Sequence, residues 1–101
     1  RNTSVDFVQT IGRLYFQQGD HDNLARKKIQ YFLNDLRERY GLNTISLDKE
    51  FTGKLAQKSG VSHDDAAELV RLLRDAQKSI SLSEYDLLTI NAAIEKFNQI
   101  A

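Results

Sequence analysis

Apolar residues recur along this chain at helical spacing. Ile29, Phe32, Leu33, Leu36 and Tyr40 fall at i, i+3, i+4, i+7 and i+11, which is the signature of one buried helix face. In an earlier segment Val5, Val8, Gly12 and Tyr15 share a face, widened by Phe7, Ile11 and Leu14. Three later stripes follow: a short one of Leu47, Phe51 and Leu55, then Ala66, Leu69, Val70, Leu73 and Ala76, then Leu87, Ile90, Ile94 and Phe97. No segment alternates with period two for long enough to predict a strand.

Start and stop signals bracket the same segments. Thr3 to Asp6, Ser62 to Asp65 and Ser83 to Asp86 each read hydroxyl-x-x-acid. In that pattern a side-chain oxygen takes an orphan amide while the acid sits on the positive end of the helix dipole. Asp22 and Ser46 serve as simpler caps. Gly19, Gly41 and Gly60 fall where helices should stop, since a residue just past a helix end commonly needs positive φ. The expectation is an all-α fold, a compact bundle of about five helices with short linkers. Gly12, inside the first helix, predicts a close helix crossing that leaves no room for a Cβ.

Composition agrees with one folded domain over residues 1–101. The chain is 41% hydrophobic and 28% charged, with 14 bases against 14 acids, so no global field draws it to nucleic acid or anionic lipid. It has no cysteine, which excludes disulfides, thiolate metal sites and cysteine nucleophiles. No apolar run reaches the ~20 residues that span a bilayer. A chain that starts at Arg1 and contains no methionine is expected to be a piece of a longer protein.

Residues 52–73 have the layout of a helix-turn-helix: Ala56 small at the helix contact, Gly60 in the turn, and Leu55, Val61, Ala66 and Leu69 facing inward. These are packing requirements that any tight two-helix corner shares. A DNA reader must also present donors and cations at the start of its second helix. Here the presented residues are Ser62, His63, Asp64, Asp65, Ala67 and Glu68. Three carboxylates would subtract from the phosphate attraction that supplies most affinity, so nucleic-acid binding is the alternative reading only.

Other chemistry is thinly represented. His21 and His63 have acidic neighbours, but adjacent residues point apart and no metal-ligand spacing is present; His21 reads as a loop residue beside a capping Asp20 or Asp22. No nucleophile elbow occurs, and the carboxylates fit exposed helix faces, as with Glu50 and Lys54 at i, i+4. Neither catalysis nor a cofactor or metal is expected. Asn2-Thr3-Ser4 fits the N-glycosylation pattern, but its neighbours read as a helix cap. The triplet Arg26-Lys27-Lys28 places cations at the start of the second helix, against the dipole. Tyr31 lies one turn beyond Lys27 and Lys28, so Arg26, Lys27, Tyr31 and Arg13 form the candidate interaction surface.

Four segments together carry a resemblance: Ile11-Gly12-Arg13-Leu14-Tyr15-Phe16-Gln17, the loop from Gly19 to Ala25, Lys27 to Leu33, and Leu55 to Val61. The chain resembles the C-terminal soluble tail of an uncharacterised bacterial membrane-protein family, known as containing a domain of unknown function. In that family an extramembrane domain lies between two transmembrane helices, and the tail follows the second. Members are often encoded beside a MoxR-type ATPase. The resemblance implies a helical domain tethered at the cytoplasmic side of the inner membrane, with a protein partner in an ATPase-linked assembly. It supplies no catalytic residues. The expected function is therefore a non-catalytic protein-interaction or regulatory domain.

Overall fold

The computed structural model describes residues 19–101 together with Arg13 and Gln17. Among them are four α-helices and no strand: α1 (His21–Tyr40), α2 (Lys49–Ser59), α3 (His63–Lys78) and α4 (Glu84–Ile100). About five helices were expected for the whole chain. The first of these, with its stripe from Val5 to Tyr15, its Thr3 start signal and Gly12, lies outside the described residues. Only Arg13 and Gln17 of that stretch are described, and both are helical and exposed.

The helix ends follow from local chemistry. Ser62 accepts the Asp65 N–H at 3.1 Å, and Ser83 and Asp86 form a reciprocal capping box. Gly41 and Gly60 terminate α1 and α2 at φ of 64° and 82°. At one helix start the structure chooses between two stated candidates, and at another it differs from expectation. Asp20, not Asp22, caps α1 through the Asn23 N–H, which makes His21 the first helical residue rather than a loop residue. Asp48, not Ser46, caps α2 through the Phe51 N–H at 2.9 Å. A helix begun at Ser46 would incorporate Leu47, which is instead buried in the connection.

Helix α1 is the axis of the fold. Its 20 residues span ~30 Å, and its inner face buries Leu24, Ala25, Ile29, Phe32, Leu33 and Leu36. Its main partner is α4, while α2 packs chiefly on α3; α1 also touches both of those. Phe32 of α1 meets Phe97 of α4 edge to face, with ring centroids 5.4 Å apart. Connections contribute to the core as well: Leu42, Leu47, Val61 and Leu82 are all buried. The Cα radius of gyration is 13.0 Å, as a compact chain of 100 residues should have.

The corner between α2 and α3 has the expected geometry. Leu55 is fully buried, Ala56 packs against the core, and the Gly60 N–H bonds the Ala56 carbonyl at 3.0 Å. Val61, Ala66 and Leu69 face inward. At the far end of α1, Lys58 donates to the Tyr40 carbonyl at 2.9 Å, so a cation from α2 satisfies an orphan acceptor of the α1 C-terminus.

Burial predicts which truncations matter. Leu36→Ala and Leu55→Ala, both at 0% exposure, should each lower unfolding free energy by about 2–5 kcal/mol in urea titrations. Ile80→Ala, at a fully exposed site, should change it by less than about 0.5 kcal/mol.

Candidate functional site

The four residues singled out from sequence have different fates in the fold. Arg13 is exposed. Arg26, Lys27 and Tyr31 all lie on α1, but successive residues are ~100° apart around a helix, and Arg26 turns toward α3. Its Nε donates to both Asp22 carboxylate oxygens, at 3.0 and 3.1 Å. Its Nη1 reaches the Ala76 carbonyl at 3.4 Å and its Nη2 the Ser79 carbonyl at 2.7 Å. Asp22 in turn accepts the Leu82 N–H at 2.9 Å. The pair therefore clasps the first turns of α1 to the end of α3 and the approach to α4. Arg26 adds a second donor to the Ala76 carbonyl, which already accepts the Ser79 N–H at 3.2 Å, and satisfies the Ser79 carbonyl just past the end of α3, where a cation also suits the dipole. Its donors are engaged within the fold.

Lys27 is half-buried and Tyr31 is 43% exposed. They sit one turn apart on a face that continues through Asn34 and Glu38, both exposed. This is the part of the predicted surface that the structure keeps together.

The tip of α3 is acidic in space as well as in sequence. Ser62, His63, Asp64, Asp65 and Glu68 are exposed there, with Ala67 half-buried. Arg71, a turn further on, pairs with the Glu68 and Asp75 carboxylates. The Arg71 guanidinium holds Glu68 below the usual carboxylate range, chiefly by hydrogen bonding. His21 lies with its Nε2 3.9 Å from Glu84. Among the described residues no group of three or more His, Asp or Glu side chains is placed to hold a metal ion.

One ionisable group was missed. Lys28 is 2% exposed, and desolvation lowers its pKa to about 8, with the opposing charge of Glu95 working to raise it. The signal was present in the sequence. Lys28 stands four residues after Leu24 and four before Phe32, in the apolar stripe, so the triplet Arg26-Lys27-Lys28 spreads over three directions and only part of it faces solvent.

The fold and its surfaces define a small all-helical domain with a helix-turn-helix-like corner. The chain belongs to the DUF4350 C-terminal helical domain family, a domain of unknown function, which it matches over residues 8–101. No curated protein and no solved structure matches the chain. No helix among the described residues is long and apolar enough to cross a membrane.

Two solution tests follow from this chemistry. Arg26 and its hydrogen bond lead the causes that hold Asp22 below its usual 3.8, followed by the Leu82 N–H. A carboxylate depressed in the folded state adds stability above its unfolded pKa and loses it as pH falls through the folded value. Arg26→Ala should cost about 1–2 kcal/mol at pH 7, moderated by solvent because the pair is partly exposed, and should flatten the acid limb of the stability profile. Lys28 acts in the other direction. Between pH about 8 and the usual 10.5 the unfolded chain holds more protons, so stability rises with pH there. The difference between wild-type and Lys28→Met stability profiles should show that rise in the wild type alone.

Proposed function

We propose that this chain is a non-catalytic protein-interaction or regulatory domain, held at the cytoplasmic side of the bacterial inner membrane by the longer protein to which it belongs. Its partner is a protein within a membrane-associated assembly linked to a MoxR-type ATPase. Membership of the family supports a domain of unknown function; the membrane tether and the ATPase come from the resemblance alone. The observation that carries the reading is Tyr31. An amphipathic aromatic is 43% exposed midway along a helix whose inner face is committed to the core. Tyrosine in such a setting is enriched at interfaces, where it brings large contact area and a polar tip.

The alternative is a nucleic-acid-binding helix-turn-helix domain, supported by the geometry of the α2–α3 corner. Against it weigh the exposed Asp64, Asp65 and Glu68 at the tip and the engagement of Arg71 by acids. Phosphate contacts normally supply the larger part of such affinity.

Because Arg26 has a structural task, charge reversal there would mix lost stability with lost binding. The cleaner variant is Lys27→Glu with Tyr31→Ala. Capture of the neighbouring MoxR-type ATPase should weaken at least about tenfold, while the melting temperature moves by no more than about 4 °C. Undiminished capture would remove Tyr31 and Lys27 from the surface. In a mobility-shift titration with mixed-sequence duplex, no shift is expected at low salt; salt-sensitive micromolar binding would restore the alternative.

A further inference from the structure

We draw no further inference here: the strongest candidate, the exposed apolar face of α4 formed by Tyr85, Leu88 and Ala92, carries none because nothing in the structure shows what covers it.

Discussion

The Leu82 side chain is buried, and its backbone amide donates to the Asp22 carboxylate, sixty residues away in the chain. That bond is half of the clasp on which the arrangement of the helices depends. The other half is Arg26, whose guanidinium gathers the Ala76 and Ser79 carbonyls at the end of α3. An amide shut away from water without a partner costs about 1–3 kcal/mol, and a cation beside a helix C-terminus is favoured by the dipole. One ion pair on α1 supplies both contacts, so the turn between α3 and α4 is tied to α1 by polar bonds as well as by apolar packing.

The clasp explains how α1 serves two purposes. Its inner stripe is the axis against which α4 packs through Phe32 and Phe97. Its outer surface is divided by Arg26 into two faces, one through Lys27 and Tyr31 and one facing α3 through Gln30 and Arg37. A binding surface built on rigid helices in this way loses little conformational freedom when a partner docks.

Much of this fold was legible because much of it is local. Stripes of apolar residues within one helix, the Ser62 and Ser83 caps and the glycines at positions 41 and 60 depend on neighbours a turn away. Where two caps competed, as at Ser46 and Asp48, the choice turned on burying Leu47, a tertiary demand that a cap pattern does not register. The task of Arg26 was invisible for the same reason: its partners Ala76 and Ser79 are at least fifty residues distant, and a basic triplet at a helix start reads as solvated surface. Lys28 is different, since its place in the stripe between Leu24 and Phe32 could have been read directly. The acidic tip of α3 was legible because Asp64, Asp65 and Glu68 fall off the apolar stripe of Ala66, Leu69, Val70 and Leu73.

The most direct measurement of the clasp is native-state hydrogen exchange at the Leu82 amide. If Asp22 holds that group as the structure shows, Leu82 should exchange as slowly as amides in the middle of α1 and α4, while the neighbouring Ile80 and Ser81 amides exchange quickly. Exchange at Leu82 as fast as at Ile80 and Ser81 would contradict the clasp and leave apolar packing alone to place α3 and α4 against α1.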